Sequence, residues 1–322
     1  MLKVSVIIPA YNSERYLEEA VESAVASTWP EKEVIILDDG STDRTREIAA
    51  RLENKHPGIV RALAHPDGRN HGVAAARNCA AQHSTGQALA ILDADDRLLP
   101  DHLSHAADVL ARHREVALVY GRARYLFEVE REGLWVSGEE GGWGPARGVV
   151  SEAFERLLSG NFVQMSTVVC RREPFFAIGG FDANIKFMQQ DYLLWTKLAY
   201  RYPIFYLDEV GAEYRIHPAS YSANLEWEKV ASAKQFEYLH CISRSIPRTD
   251  AQGWHRVREA WQSLGKRILY RFYRALRSRN FSQARRELAV LRRLPEKAHL
   301  VRAPFEWRRN RLHARQLLNL KG

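Results

Sequence analysis

Cysteine is scarce in this 322-residue chain, which contains three, Cys79, Cys170 and Cys241. The three lie far apart, so the sequence has no C-x-x-C spacing of the kind that binds zinc, and an odd number argues against a disulfide framework. A chain of this length buries enough surface to fold without disulfides or structural metals. The cysteine content therefore indicates a reducing compartment.

Long apolar segments are also missing. No stretch approaches the roughly 20 apolar residues of a membrane-spanning helix, and the first apolar run ends at Pro9, too early for the core of a signal peptide. The composition, 46% hydrophobic and 27% charged, is typical of a globular protein and excludes collagen, coiled coil and wholesale disorder. These features predict a cytoplasmic protein that can also associate peripherally with the inner face of the cell membrane.

Acidic residues are scarce in the last part of the chain. Residues 251–322 contain 19 Lys and Arg but only four Glu, so this segment carries a charge of +15. The whole chain carries +8, which leaves a charge of −7 for residues 1–250. Such an asymmetry predicts an anionic partner for the basic segment, either a membrane or a nucleic acid.

Short apolar, mostly β-branched runs alternate with helical patterns over residues 1–120, and each run is the length of a buried strand. The candidate strands are Val4–Ile8, Glu33–Leu37, Ile59–Leu63, Ala88–Leu92 and Val116–Tyr120. The alternation predicts an α/β fold with a mostly parallel central sheet and helices on both faces. In such sheets ligands bind beyond the carboxyl ends of the strands.

Two acidic clusters follow candidate strands at those carboxyl ends, Asp38-Asp39 and Asp93 to Asp96. The second cluster offers hard oxygen ligands to Mg²⁺ or Mn²⁺, which favour carboxylates when they also hold phosphate oxygens. The first can accept hydrogen bonds from the base or ribose of a nucleotide. Taken singly, the first cluster can also be a plain turn, because it continues into Gly40 and Asp-Gly is a common turn dipeptide. The second can also be an acidic turn that caps a helix.

An alanine-rich helix is predicted from Gly72 to Ala81, and it places Arg77 and Asn78 beside the same crevice. The planar guanidinium of Arg77 can bind a nucleobase, a carboxylate or a diphosphate. The alternative is a surface arginine on a solvated helix.

These segments together resemble the family 2 glycosyltransferases, which have the GT-A nucleotide-diphospho-sugar transferase fold. The motifs that carry the resemblance are, in order, VSVIIPAYN, ILDDGSTD, NHGVAAARN, LDADD, Gly179-Gly180-Phe181-Asp182, QDYLLW from Gln190 to Trp195, and YRIHP from Tyr214 to Pro218. The resemblance covers residues 1–225, with a nucleotide-binding half at about 1–120 and an acceptor half at about 121–225. Residues 226–322 are expected to form a basic helical C-terminal extension.

The resemblance implies roles for particular residues, with Asp191 as the catalytic base. This sequence has Gln190 where the family usually has Glu, which puts any role for a preceding carboxylate in doubt. The residues expected at the nucleotide sugar are Pro9, Ala10, Tyr11, Asn12, Asp39, Gly72, Arg77, Asn78, Asp93 and Ala94. The expected ligands of Mn²⁺ or Mg²⁺ are Asp93, Asp95, Asp96 and His217. For His217 a buried structural role is the alternative.

The implied activity is the inverting, metal-dependent transfer of a sugar from a nucleotide-diphospho-sugar to an acceptor hydroxyl. The expected donor is a UDP-sugar, the expected acceptor is a glycan or a lipid-linked molecule, and the expected pathway is surface polysaccharide or lipopolysaccharide synthesis. The motifs do not specify the donor sugar, the base, the acceptor or the oligomeric state.

Two other functions are compatible with parts of the sequence. A sugar-nucleotide nucleotidyltransferase would be expected to have a glycine-rich loop after the first strand, where this chain has Pro9 to Asn12 without a glycine. A non-catalytic nucleic-acid-binding protein would explain the basic segment but would leave both acidic clusters and Asp191 unexplained.

Two regions outside the motifs also carry predictions. The glycines between 138 and 144 predict a flexible loop within residues 121–148. From Val257 to Leu291 apolar residues recur every three or four positions with arginines between them, which predicts amphipathic helices.

The basic helices have two interpretations. They either pack on the catalytic domain with a solvated basic face, or dock on an anionic membrane surface. For docking, the aromatic side chains expected at the headgroups are Trp254, Trp261, Phe272 and Trp307. No nucleic acid partner is expected, because no recognised reading motif accompanies the charge.

Overall fold

The computed structural model describes residues 1–129, 134–141, 144, 146–185, 190–217 and 227–294. For residues 128, 129, 134–141 and 227–230 the description is of the backbone alone. The chain forms two compact units, Met1–Asn224 and Leu225–Gly322.

The described residues of the first unit contain ten strands and seven α-helices. The strands are β1 (Val4–Ala10), β2 (Lys32–Asp38), β3 (Val60–Ala64), β4 (Ala88–Ile91), β5 (Arg97–Leu98), β6 (Leu118–Val129), β7 (Leu134–Gly141), β8 (Gly148–Val149), β9 (Val169–Arg171) and β10 (Ile204–Ile216). The helices are α1 (Leu17–Val25), α2 (Thr45–Lys55), α3 (Val73–His83), α4 (His102–Arg112), α5 (Ala153–Ser159), α6 (Arg172–Ala177) and α7 (Gln190–Arg201), and a 3₁₀ helix covers Met165–Thr167.

These strands form one sheet in the order β3-β2-β1-β4-β9-β6-β10-β5, with β7 paired to β6 and β8 paired to β10. Strands β1 to β4 are parallel to one another, and β6 is parallel to β10. Strand β9 lies between the two groups and runs antiparallel to both β4 and β6, so the two groups point the same way. The predicted α/β fold with a mostly parallel sheet is confirmed.

The centre of the sheet is covered on both faces. All seven residues of β1 and six of the seven in β2 are buried. Because successive side chains of a strand point to opposite faces, continuous burial requires packing elements on each side. This arrangement leaves the ends of the strands, rather than the faces of the sheet, open to a ligand.

The region 121–148 is more regular than predicted in its described part. β6 extends to Val129 and pairs antiparallel with β7, which ends at Gly141, and β6 also pairs with β10 over most of its length. Residues 130–133, 142, 143 and 145 of this region lie outside the described residues. Charged residues such as Arg124 interrupt the apolar alternation, and Gly138 and Gly141 disfavour a strand by local propensity. The pairing with neighbouring strands overrides that propensity.

The described residues of the second unit form three helices, α8 (Trp227–Ser245), α9 (Ala251–Arg277) and α10 (Phe281–Arg293). Asp250 caps α9 by accepting a hydrogen bond from the Gly253 N–H at 2.9 Å, and Asn280 caps α10 in the same way from Gln283. Among the described helices, none combines the length and the apolar character needed to cross a bilayer.

Helix α9 has the predicted amphipathic pattern. The apolar residues that recur every three or four positions form the buried side of α9; they include Val257, Leu264, Ile268 and Phe272. Phe272 and Ala275 pack against Ala284 of α10, with leucines from both helices around them. The apolar side of α9 is therefore buried within the second unit.

Candidate active site

The candidate site lies where the parallel strands β1, β2 and β4 end. Ala10, the last residue of β1, is paired in register with Asp38, the last residue of β2. The chain that follows β4 carries Asp93 to Asp96. Parallel strands present their carboxyl ends at one edge of the sheet, so both acidic clusters lie at that edge.

Asp39 is 2% exposed, and its carboxylate organises the loop at residues 65–72. It accepts hydrogen bonds from the backbone N–H groups of His71 at 2.8 Å and Gly72 at 2.9 Å. The Nε2 atom of His65 lies 3.2 Å from the same carboxylate. A hydrogen bond therefore connects Asp39 and Gly72, which are both expected at the nucleotide sugar.

Gly40 permits that loop to approach the end of β2. Its φ is +73°, and a Cβ on it would lie 2.6 Å from the carbonyl carbon of Arg69 and 2.7 Å from the backbone nitrogen of Asn70. A side chain would meet backbone atoms on a neighbouring loop, which cannot yield as a flexible side chain can. The glycine of this motif is therefore required by packing as well as by its left-handed conformation.

The residues after β1 have different environments. Asn12 accepts a hydrogen bond from the Thr42 N–H at 2.8 Å, and its own N–H donates to the Ser41 hydroxyl at 3.0 Å. These bonds tie the loop after β1 to the loop after β2, so the Asn12 side chain holds the loops together. Tyr11 is 49% exposed, which leaves its ring open to stack on a ligand.

Pro9, Ala10 and Ala94 can present little side chain to a ligand. Pro9 and Ala10 lie within β1, and Ala10 and Ala94 belong to the hydrophobic core. The Ala10 carbonyl accepts a hydrogen bond from the Asp39 N–H at 2.8 Å, which links the ends of β1 and β2. Any contact of these residues with a nucleotide sugar must therefore be made mainly by the backbone.

Arg77 is a buried residue of α3 and not a surface arginine. Its Nη2 donates to Asp93 Oδ1 at 2.5 Å, and its guanidinium carbon lies 5.2 Å from the centre of the Phe181 ring. A charge-assisted hydrogen bond that is largely shielded from water fixes both partners. Arg77 therefore orients the first carboxylate of the D-x-D cluster.

Asn78 was expected at the nucleotide sugar, but its side chain binds protein backbone instead. Its amide group donates to the Phe181 carbonyl at 2.8 Å, and its carbonyl accepts from the Phe181 N–H at 2.9 Å. Gly180, with φ at +65°, fits closely here, since a Cβ on it would lie 2.7 Å from Asn78 Oδ1. Asn78 thus anchors the Gly179–Asp182 loop beneath Arg77.

The loss of this anchor is expected to destabilise the first unit. Asn78→Ala leaves the Phe181 N–H and carbonyl without their partner, which costs about 1–3 kcal/mol per unsatisfied buried group. Chemical denaturation of the variant measures the loss in the free energy of unfolding. Asn184→Ala, on an exposed residue nearby, is the control and should change stability by no more than about 0.5 kcal/mol. Equal stability of the two variants would contradict the anchoring role.

Asp95 and Asp96 are neighbours with different surroundings. Asp95 is partly exposed, and its Oδ2 lies 3.2 Å from Nε2 of His217, which follows β10 and is 7% exposed. Asp96 has no exposed surface and accepts hydrogen bonds from the Ser166 hydroxyl and the Arg215 N–H. The carboxylate of Asp96 thus connects the turn after β4 to β10.

Burial raises the pKa of Asp96 well above its usual value, and the charges of Asp95 and Asp93 add to the rise. Both oxygens of this carboxyl face protein groups, Oδ2 the Ser166 hydroxyl and Oδ1 the Arg215 N–H. The structure therefore gives Asp96, an expected metal ligand, the role of a structural link between strands, because its oxygens are directed away from solvent.

The residues that remain fit a divalent ion only in part. Among the described residues, no group of three or more His, Cys, Asp and Glu side chains converges as a complete metal site. Magnesium and manganese, however, are commonly held by one or two carboxylates together with substrate phosphates. The carboxylate of Asp95 and the imidazole of His217 are suitable donors for such a shared ion.

Asp191 lies in the first turn of α7 and is partly buried. Removal from water raises the pKa of Asp191 above its ordinary value, and the negative charge of Asp93 adds to the rise. The Tyr192 N–H and the positive charge of Arg77 oppose it. Asp191 is therefore close enough to the Arg77–Asp93 pair to interact with it, and its pKa is shifted towards the range of a general base.

Gln190, which stands where the family usually has Glu, donates from Nε2 to the Ile185 carbonyl at 2.6 Å. The side chain at this position is therefore bonded to the protein backbone. A neutral amide cannot take up a proton as a base, so Asp191 is the ionisable residue at the start of this helix.

Three contacts at the site were not expected from the sequence: His65 on Asp39, Ser166 on Asp96, and Phe181 beneath Arg77. Phe181 belongs to the Gly179-Gly180-Phe181-Asp182 motif, so the sequence carries a signal for it. His65 and Ser166 lie in segments without periodicity or motif, and only the fold brings them to the acidic clusters.

Comparison with proteins of known structure shows the same fold at low sequence identity. S. aureus TarS 1–349 in complex with UDP-GlcNAc matches with a TM-score of 0.68 and 21% identity over 92% of this chain and 83% of that chain. The mannosyltransferase PcManGT from Pyrobaculum calidifontis in complex with GDP-Man and Mn²⁺ matches with a TM-score of 0.57 and 19% identity, over 99% and 81%. The first unit accordingly has the GT-A fold.

Comparison of sequences gives the family. The profile described as Glycosyl transferase family 2 matches residues 5–175. An uncharacterized glycosyltransferase of Rickettsia prowazekii is 28% identical over 216 residues, 67% of this chain but only 64% of the relative, so the chain spans less than two thirds of it. A Bacillus subtilis protein assigned to teichuronic acid biosynthesis as a glycosyltransferase is 29% identical over 270 residues, 82% of this chain and 97% of that protein. The family profile covers more than half of the chain, which therefore belongs to the family 2 glycosyltransferases.

Proposed function

We propose that this chain transfers a sugar from a nucleotide-diphospho-sugar to an acceptor hydroxyl with inversion at the anomeric carbon, and that Asp191 is the catalytic base. The observation that carries the proposal is that Asp191 lies close enough to Arg77 and Asp93 for both charges to act on its pKa, while Asp93 itself follows β4 at the carboxyl edge of the sheet. A carboxylate with a raised pKa at this edge is suited to accept a proton from a substrate.

The nucleoside of the donor binds at the ends of β1 and β2 in this proposal. Asp39 offers a buried carboxylate that can accept a hydrogen bond from an N–H of the base, and Tyr11 offers an exposed ring for stacking. A UDP-sugar suits this pair because uracil has one ring N–H to donate. Support for the donor class comes from the fold relatives, whose structures contain UDP-GlcNAc and GDP-Man.

A divalent ion, Mn²⁺ or Mg²⁺, would be held by Asp95 and His217, with Asp93 nearby, and would supply positive charge opposite the departing diphosphate. Support comes from the donor atoms of this pair and from the Mn²⁺ in the PcManGT structure. The ion pair with Arg77 holds Asp93 in a fixed orientation at this point.

The reaction then needs one displacement. The bond between the anomeric carbon and the diphosphate breaks through an oxocarbenium-like transition state, as in other glycosyl transfers. Asp191 accepts the proton of the acceptor hydroxyl as that oxygen attacks the opposite face of the sugar. Arg77 opposes the rise in the pKa of Asp191, which helps to keep the base ionised.

The pathway and the location are also part of the proposal. The relative assigned to teichuronic acid biosynthesis supports a role in surface polysaccharide synthesis. We place the catalytic domain at residues 1–225 and a basic extension at 226–322, with a glycan or lipid-linked acceptor. The positive charge of the extension favours a peripheral position on the cytoplasmic face of an anionic membrane.

The test is incubation of the protein with a panel of nucleotide sugars and Mn²⁺, followed by an assay for free nucleoside diphosphate. Slow hydrolysis of one donor, absent in Asp191→Asn, is the expected result, because water can replace the acceptor as nucleophile. Release of pyrophosphate from a nucleoside triphosphate and a sugar phosphate would instead identify a nucleotidyltransferase. Turnover of no donor, together with tight binding of nucleic acid, would favour the non-catalytic alternative.

A further inference from the structure

The second unit carries a basic and aromatic surface at the turn between α9 and α10, which we call the hairpin tip. Its residues are exposed and carry no acidic group; they are Tyr270, Arg274, Arg277, Arg279, Phe281 and Arg285. We propose that the hairpin tip docks on an anionic membrane surface. This inference deepens the proposed function by naming its partner and the residues that bind it, and the docking itself is independent of catalysis.

The aromatic residues of the tip are different from those expected from the sequence. Trp261 is 6% exposed and donates from Nε1 to the Ser243 hydroxyl at 2.9 Å, and Phe272 is 4% exposed in the core between α9 and α10. Neither ring is available to a membrane. Trp254 is half-buried, donates from Nε1 to the Pro247 carbonyl at 3.0 Å and lies at the start of α9, away from the tip. Trp307 lies outside the described residues. Tyr270 and Phe281, in contrast, are 69% and 46% exposed.

Helical geometry places the tip residues of α9 on one stripe. Tyr270, Arg274 and Arg277 are spaced by four and three residues, so they follow one another along the same side of the helix. The apolar side of α9, which includes Ile268 and Phe272, faces the other helices of the second unit. The stripe is therefore a second, outward side of α9, made of one exposed ring followed by two arginines.

The charge at the tip is of one sign. Residues 260–286 contain eight Lys and Arg and no Asp or Glu. Glu287 is 3% exposed, and Glu259 lies about 16 Å from Tyr270 along the helix. Within α9 and α10, therefore, no exposed carboxylate lies beside the arginines of the tip, and the charges of these arginines repel one another.

A lipid surface fits this combination of groups. Arginine side chains bind the phosphates of anionic headgroups, and each basic residue near such a leaflet adds to the attraction. Exposed Tyr and Phe side chains place their rings at the boundary between headgroups and acyl chains. A protein that transfers sugars to a lipid-linked acceptor would meet its substrate at that surface.

The test is flotation of the full chain with vesicles, without any nucleotide sugar, so that its result does not depend on the proposed activity. One vesicle population contains phosphatidylglycerol in phosphatidylcholine, and the other contains phosphatidylcholine alone. We expect binding to the anionic vesicles only, with a decrease as the salt concentration rises, because exposed charges are screened.

A pair of charge-matched variants locates the surface. Arg274→Gln with Arg277→Gln removes two charges from the tip, and we expect about 30-fold weaker partitioning to anionic vesicles. Arg258→Gln with Arg292→Gln removes two exposed charges at the opposite end of the hairpin and should weaken it by less than about threefold. Equal losses in the two variants would overturn the proposal, because they would indicate a diffuse attraction.

A third variant tests the aromatic side chains. Tyr270→Ser with Phe281→Ser keeps the charge and should weaken binding at high salt more than at low salt, since the apolar contribution is not screened. Unchanged binding would overturn the insertion of these rings.

Circular dichroism is the check that each variant is folded. Binding to nucleic acid that displaces the vesicles, with no preference for anionic lipid, would overturn the membrane as partner.

Discussion

Asp191→Asn is expected to lower the rate of sugar transfer by about 10²-fold or more, the usual contribution of a general base. The substitution keeps the size of the side chain but removes its capacity to accept a proton. The donor should bind with unchanged affinity, because Asp191 acts on the acceptor in the proposed mechanism. The measurements are kcat for transfer and calorimetric binding of the nucleotide sugar.

A first-turn acid also interacts with the helix dipole, which contributes about 0.3–1 kcal/mol to stability. Glu47→Gln is the matched control, since Glu47 is an exposed acid in the first turn of α2. It should reproduce any small loss of stability while leaving kcat unchanged. Transfer by Asp191→Asn at the wild-type rate would mean that Asp191 is a structural residue.

The raised pKa of Asp191 also sets the direction of a pH effect. The base must be ionised, so the rate should fall as the pH decreases through this pKa, and the acidic limb should lie above the ordinary aspartate value of 3.8. The positive charge of Arg77 lowers the pKa of Asp191. In Arg77→Gln the acidic limb of kcat should therefore move to higher pH. A limb that does not move would assign the titration to another group.

Asp95→Ala is expected to abolish metal-dependent turnover, with a loss of about 10²-fold or more, because a metal ion contributes several kcal/mol to the stabilisation of developing charge. Asp95 is partly exposed and close to His217, so its removal should leave the fold intact. The measurement is kcat/KM as a function of Mn²⁺ concentration, with circular dichroism as the check on folding.

Asp96→Asn is the contrasting variant, since Asp96 faces Ser166 and the Arg215 backbone. It should keep its dependence on Mn²⁺, because the asparagine retains the size of the side chain and an oxygen acceptor for the Arg215 N–H. Wild-type activity in Asp95→Ala, or activity of the wild-type protein that persists in excess chelator, would refute the metal site.

Local pattern was sufficient to predict the strands that carry the site. β1, β2 and β4 are short, apolar runs, and burial on both faces of the sheet is what such runs require. Their order with the intervening helices indicated a parallel sheet, and the position of the acidic clusters after β2 and β4 followed from it. The spacing of α9 likewise identified its buried side, because a periodicity of 3.6 residues is a property of the helix itself.

Local pattern could not predict which partner each polar side chain binds. Asp95 and Asp96 are adjacent in the sequence, but β10 and the 3₁₀ helix at Met165–Thr167 bury only the second. The amide of Asn78 could form hydrogen bonds with a nucleotide or with protein backbone. It binds backbone because the fold brings the Gly179–Asp182 loop, which is distant in sequence, next to it.

The sequence by itself thus determined the α/β fold, the edge of the sheet where the acidic clusters lie, and the basic character of the last helices. The tertiary structure decided the hairpin of β6 and β7, whose weak propensity is overridden by pairing with neighbouring strands. It also decided that Trp261 and Phe272 are core residues while Tyr270 is exposed. The physical reason is that periodicity and propensity are local, whereas burial and hydrogen-bond partners depend on segments that are distant in sequence.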